Sequence, residues 1–159
     1  MPCGPTGHVR VQVVRPADSP GEFPVVLFLH GLGWSLGDAG TCERLVHAFA
    51  LGTDAAVVFV EYERTPEARH PVAGEQCRAV AQWISERGGG IGLDGGRTAA
   101  VGDSAGANLV AALTLLVKER AGVRLLQQVL LCPVTDARCD RSPLRASPER
   151  LSGLPPALV

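Results

Sequence analysis

Four short apolar runs alternate with stretches of helical periodicity, and that alternation leaves few folds open to this chain. Residues 25–30 (VVLFLH), 55–60 (AAVVFV), 98–101 (TAAV) and 126–132 (LQQVLLC) are short and largely apolar, and the first two are rich in β-branched side chains. Strands covered on both faces read this way, because neither side meets water. Between them, 41–51 sets Leu45, Ala48 and Phe49 on one helical face, with Thr41 as an N-cap and Gly52 as a stop. Residues 72–87 carry Ala73, Cys77, Val80, Ala81 and Ile84 at helical spacing and run into Gly88, Gly89 and Gly90. Residues 105–119 are apolar on nearly every face, as a buried helix is. Strand–helix alternation predicts a mostly parallel α/β sheet with helices on both faces and right-handed crossovers. Residues 9–15 (VRVQVVR) alternate apolar and polar and predict a half-exposed edge strand, and the closing GLPPALV reads as the opening of one more.

Length and charge narrow the function classes. At 159 residues the chain predicts a single domain, 1–159. Lys+Arg 15 against Asp+Glu 16 leaves no basic excess to bind nucleic acid, and 4% aromatic residues supply no base-stacking platform. The longest apolar stretches, AAVVFV and LVAALTLLV, are too short to span a bilayer, and the start, MPCGPTGHVR, shows no signal-peptide core. Cys3, Cys42, Cys77, Cys132 and Cys139 are odd in number, and no two are spaced C-x-x-C. That pattern fits neither a disulfide framework nor a zinc site, and predicts a reduced, cytoplasmic setting.

The sharpest motif is Gly102-Asp103-Ser104-Ala105-Gly106, a G-x-S-x-G between an apolar strand and an apolar helix. A serine on so tight a turn needs neighbours without side chains. The turn lifts its hydroxyl out, and the helix start offers the Ala105 N–H to an oxyanion. The bland alternative is a strand–helix turn whose serine merely caps the helix. A second motif, His30-Gly31-Leu32-Gly33-Trp34, follows a buried strand and can turn backbone N–H groups toward a developing negative charge. It also reads as an ordinary turn, or as a phosphate loop. Gly31, Gly33 and Gly37 precede a helix, and Glu61 ends the next strand where a ribose-binding acid would sit, so a dinucleotide-binding oxidoreductase domain is the alternative. Trp34 inside the loop opposes close pyrophosphate approach. Gly90, Gly92 and Gly95 form a second apparent fingerprint, but they follow a helix and precede a strand, the wrong order.

Together these stretches resemble the hormone-sensitive-lipase-like branch of the α/β-hydrolases, a group of carboxylesterases. The segments that carry the resemblance are HGLGW, VEYERTPEARHPVAGEQCRAVAQWI, GDSAGAN, LLQQVLLCPVTDA, and SPLRAS with LSGLPPALV. The resemblance implies an α/β-hydrolase sheet with Ser104 as catalytic nucleophile and the backbone N–H groups of Leu32, Gly33 and Ala105 as oxyanion hole. His30, Gly31, Gly102, Asp103 and Gly106 support the two motifs. It implies an acyl-enzyme mechanism on a small-molecule ester, with no metal or cofactor. Leu32 stands where the family has a glycine, and Ala107 replaces another. The helical cap before the first strand is missing, and only Arg138 to Arg141 separate PVTDA from SPLRAS.

In this family the triad acid and base follow the strand that GLPPALV opens. All four histidines, His8, His30, His47 and His70, precede Ser104, so none matches the order Ser, Asp/Glu, His. His30 is the one candidate for a substitute base, against a role shaping its own loop, and His70 reads as packing. Asp94, Asp136 and Asp140 read as turn residues, and Asp103 as structural. The expectation is therefore a sheet incomplete at its C-terminal end, from a truncated or internally deleted chain with weak or no turnover. A non-catalytic remnant is a further alternative. Self-association through an unprotected sheet edge is expected.

Overall fold

Near-continuous burial along the central strands, on both faces, builds the molecule outward from its sheet. The computed structural model describes residues 1–17, 21–135 and 153–159. Its elements run β1 (Arg10–Val14), β2 (Phe23–Leu29), α1 (Ala39–Thr53), β3 (Ala56–Glu61), α2 (Val72–Arg87), a 3-10 turn, β4 (Leu93–Asp103), α3 (Ala105–Arg120), β5 (Gln127–Leu131) and β6 (Ala157–Leu158). The sheet order is β1-β3-β2-β4-β5-β6. β1 runs antiparallel to β3, with Arg10 opposite Glu61, and every other pairing is parallel.

Successive side chains of β2 point to opposite faces. Val25, Leu27 and Leu29 join Val58, Val60, Cys77, Val80, Val110 and Leu113 in one core, under α2 and α3. Val26 and Phe28 join Val57, Phe59, Val46 and Ala50 in the other, under α1. The two-faced α/β sheet is therefore as the apolar runs predict. α3 buries eleven of its sixteen residues, which explains its lack of a polar face.

Five local expectations change. α1 starts at Ala39, because Asp38 rather than Thr41 is its N-cap: the Asp38 carboxylate accepts the Thr41 N–H at 2.8 Å. That bond holds the Asp38 carboxyl below its ordinary pKa. The helix ends not at Gly52 but at Thr53, with Asp54 left-handed beyond it. Its inward face is Ala39, Cys42, Val46, Phe49 and Ala50, while Leu45 is 38% exposed. At about 100° of turn per residue these five positions form one stripe, and Leu45 falls just beyond its edge. β4 begins at Leu93 rather than 98, because a bulge lets Leu93 and Asp94 pair with Phe23 and Pro24 before Thr98 meets Val25. Asp94 makes that turn, accepting the Gly96 N–H at 2.9 Å and pairing with Arg97 at 2.5 Å. His70 is exposed and does not pack; Tyr62 and Ala68 fill that role in its loop. Among the described residues no helix is long and apolar enough to cross a membrane. Asp136, Cys139, Asp140 and the SPLRAS stretch lie outside the described residues.

Candidate functional site

Two strand-to-helix turns lie side by side at the C-terminal ends of β2 and β4, and each holds non-glycine residues in left-handed backbone. At the first, β4 ends at Asp103, α3 begins at Ala105, and Ser104 alone makes the turn at φ 52°, ψ −112°. A side chain there costs roughly 1–3 kcal/mol and persists only where the surroundings enforce it. The surroundings are explicit. The Ser104 N–H donates to Leu131 O at 2.8 Å, and the Ser104 carbonyl accepts the Asn108 N–H at 3.1 Å and the Val134 N–H at 3.5 Å. A Cβ on Gly102 would strike the backbone of Gly106, and one on Gly106 would strike the carbonyls of Leu29 and His30. Both glycines are thus required by backbone approach. Ala105 and Ala107 are fully buried, and the Ala105 N–H belongs to a helix start whose first N–H groups lack intrahelical partners.

The second turn is longer. Leu32, Gly33 and Trp34 are successive left-handed residues at φ 67°, 67° and 59°. Leu32 O accepts N–H groups from Ser35 at 3.4 Å and Leu36 at 3.2 Å, closing the turn. Each non-glycine residue here costs roughly 1–2 kcal/mol. Trp34 is 9% exposed, and its carbonyl takes the Thr65 N–H at 2.9 Å; Leu32 is 48% exposed. The two turns touch: a Cβ on Gly31 would lie 2.7 Å from Asp103 O and 2.9 Å from the Asp103 carboxylate. Ser104, Ala105, Gly31 and the 32–34 backbone are thereby brought into one neighbourhood by adjacent strands.

His30 lies at the base of this loop with its ring buried and stacked on Tyr62 and Phe59, at centroid distances of 4.2 and 5.4 Å. A carbonyl only accepts, so the 3.2 Å contact between Nδ1 and Gly31 O places the proton on Nδ1. Burial lowers the His30 pKa, partly countered by the bond to Gly31. Tyr62 Oη donates to His30 O at 2.8 Å and fixes the end of β2. This geometry is that of a loop-shaping residue. The phosphate-loop alternative loses its parts to internal partners. Gly31 is taken by Asp103, a Cβ on Gly37 would lie 2.6 Å from His30 Nδ1, and Glu61 pairs with Arg10 at 3.5 Å. Among the described residues, no three His, Cys, Asp or Glu side chains are grouped to hold a metal.

Tyr62, Gln76 and Asn108 are polar or amphipathic groups in the core that the sequence patterns do not single out. Gln76 accepts the Glu63 N–H at 2.7 Å and donates to Thr6 Oγ1 and to Glu63, tying the 62–71 loop to α2. A polar residue within an apolar helical stripe is the only signal available for Gln76.

Residues 26–152 match the family model described as alpha/beta hydrolase fold. The chain belongs to that family. Curated relatives within it include Esterase LipI of Mycobacterium tuberculosis, 37% identical over 134 residues, covering 83% of this chain and 42% of the relative. Ethyl acetate hydrolase of Pseudomonas putida is 34% identical over 142 residues, covering 85% of this chain and 44% of the relative. Among solved structures, a thermostable esterase from Pseudomonas putida superposes with a TM-score of 0.90 at 41% identity, over 95% of this chain and 59% of that one. Carboxyl esterase 2 from Tuber melanosporum does so with 0.92 at 31%, over 99% and 63%. The chain thus spans about two fifths of the length of these curated α/β-hydrolase relatives.

Proposed function

We propose that this α/β-hydrolase chain carries the nucleophile and oxyanion-binding part of a serine carboxylesterase acting on small-molecule esters. The observation that carries the reading is Ser104, alone at φ 52° between β4 and α3 beside a second left-handed turn. In this reading Ser104 Oγ attacks the ester carbonyl, and the N–H groups of Leu32, Gly33 and Ala105 receive the oxyanion. The alcohol leaves, and water releases the acyl group. His30, Gly31, Gly102, Asp103 and Gly106 shape the two turns. No histidine of these 159 residues follows Ser104, so the family order leaves the serine of this stretch without its base. Its hydroxyl then stays protonated at neutral pH, and turnover is slow.

The test is p-nitrophenyl acetate with the 159-residue chain, together with mass spectrometry after a fluorophosphonate. A slow rate above background and a phosphonyl adduct on Ser104, both lost in Ser104→Ala, support the reading. A rate and adduct unchanged in Ser104→Ala overturn it. A fast rate lost in Ser104→Ala would mean that a base is present after all.

Two smaller proposals accompany this one. Residues 1–159 form one folding unit that associates through β6, which pairs with β5 over two residues and leaves Leu158 and Val159 exposed. A monodisperse monomer in light scattering would remove that proposal. Cys3, Cys42, Cys77 and Cys132 are free thiols, which favours a reducing, cytoplasmic setting.

A further inference from the structure

A small hydrogen-bonded circuit closes behind the Ser104 turn. Asn108 is fully buried in the first turn of α3, and its backbone N–H donates to Ser104 O at 3.1 Å. Its side-chain Nδ2 donates to Val134 O at 2.7 Å. Val134, in the segment that follows β5, returns its own N–H to Ser104 O at 3.5 Å. That segment is itself bent, with Cys132 left-handed at φ 47°. Ser104 O is therefore held from two sides, and one of those holds depends on where Asn108 keeps Val134.

The peptide unit gives this circuit its chemical meaning. Ser104 C=O and Ala105 N–H belong to one planar trans peptide, so they point in opposite directions and turn together. Pinning the carbonyl aims the N–H. We propose that Asn108 is a positioning residue for acyl transfer: through Val134 it pins the Ser104 carbonyl and so aims the Ala105 N–H at the substrate oxyanion. This rests on the esterase reading above. An oxyanion donor acts mainly in the transition state, so its misalignment lowers kcat and spares KM.

Asn108→Asp is the informative change. It keeps the shape but removes the donor, and its carboxylate would face the Val134 carbonyl. Once protonated, the same group donates again. The 159-residue chain, Asn108→Asp and Asn108→Ser are compared with p-nitrophenyl acetate from about pH 5 to about pH 8, a range that brackets titration of a buried carboxyl. Thermal unfolding is followed at each pH. The Ser104-dependent kcat of Asn108→Asp should fall about tenfold or more at the alkaline end, since removing an oxyanion donor outright costs roughly 10²–10³. KM should stay within about twofold. The ratio to the unsubstituted chain should recover on acidification. Asn108→Ser, whose hydroxyl is too short to reach Val134, should show a loss that no pH restores.

A pH-independent ratio for folded Asn108→Asp, or a loss carried by KM, overturns the proposal. If Asn108→Asp unfolds at alkaline pH, Asn108→Ser decides by its kcat-to-KM split. If the unsubstituted chain is no more active than Ser104→Ala, the esterase reading fails separately. The amide resonance of Ala105 then decides for Asn108: it should titrate in Asn108→Asp and stay fixed with pH in Asn108→Ser. An Ala105 resonance that ignores the new carboxyl overturns the proposal.

Discussion

The two turns of the candidate site hold residues at positive φ by opposite means. The 103–105 turn has one strained residue, Ser104, walled in by backbone: Gly106 against Leu29 and His30, Gly102 against Gly106, and Ser104 itself bonded to Leu131, Asn108 and Val134. The 30–38 loop has three left-handed residues in a row, yet Gly33 has no atom within 4 Å of a built Cβ, and Leu32 and Leu36 are exposed. In the first turn space is short, and a Cβ added at either flanking glycine, Gly102 or Gly106, collides with backbone. The second is tight at its ends, where Gly31 meets Asp103 and Gly37 meets His30, but at its middle only the dihedral angle is demanding, so a residue such as Leu32 is tolerated at the cost of strain.

The largest expected effect tests that contrast directly. Gly106→Ala should fail to fold or lose more than about 3 kcal/mol, since its Cβ would overlap two carbonyls of the buried end of β2. Gly33→Ala should lose only about 1 kcal/mol, the cost of a β-carbon at positive φ. Urea unfolding of both variants measures the gap. Equal losses would mean that the open turn is as tightly packed as the closed one.

Next in size is strain relief. Ser104→Gly removes the side chain from φ 52° and should stabilise the chain by about 1 kcal/mol while abolishing the fluorophosphonate adduct. Gain of stability with loss of reactivity is the mark of strain kept for chemistry. Leu32→Gly should stabilise by somewhat less, about 0.5 kcal/mol, because it also removes the contacts of a half-exposed leucine side chain. It should leave the adduct on Ser104 in place. A destabilised Leu32→Gly would show that the half-exposed Leu32 side chain contributes packing that outweighs its strain.

What the sequence made legible follows the range of the forces involved. The Ser104 turn is readable because its constraints sit within five residues: two glycines, a serine and the flanking strand and helix. The sheet is readable because burial on both faces shows in runs such as AAVVFV. The true cap of α1 is not, since Asp38 and Thr41 are both good capping residues and only the distance between them shows which one caps. The start of β4 is hidden because Asp94, Gly95 and Gly96 look like a loop, and only pairing with Phe23 and Pro24 makes the preceding segment a strand. Asn108 and Tyr62 act on partners 26 and 32 residues away, a separation that no local pattern encodes. The Leu32 position was visible as a departure from its family, and its left-handed backbone is the strain that a β-carbon there implies.

The smallest effect is a slope with pH, and it reports on the base that both turns share. Gly37 of the open loop packs on the His30 ring, and the His30 carbonyl lies against Gly106 of the closed one. Burial lowers the His30 pKa; the Gly31 carbonyl and Asp38 act in the opposite direction, and Arg64 adds to the lowering. The folded chain therefore binds this proton less readily than the unfolded chain does. Stability from this group is complete above the ordinary histidine pKa of about 6.5, and it is lost as pH falls toward the lowered folded value. Urea midpoints should drop on acidification from neutrality in the unsubstituted chain. In His30→Gln the whole curve should sit lower, because the ring stack is gone, but the acid-side drop should shrink. A drop of the same size in both proteins would assign the pH dependence to other groups. His30 would then be a packing residue for both turns with no protonic role.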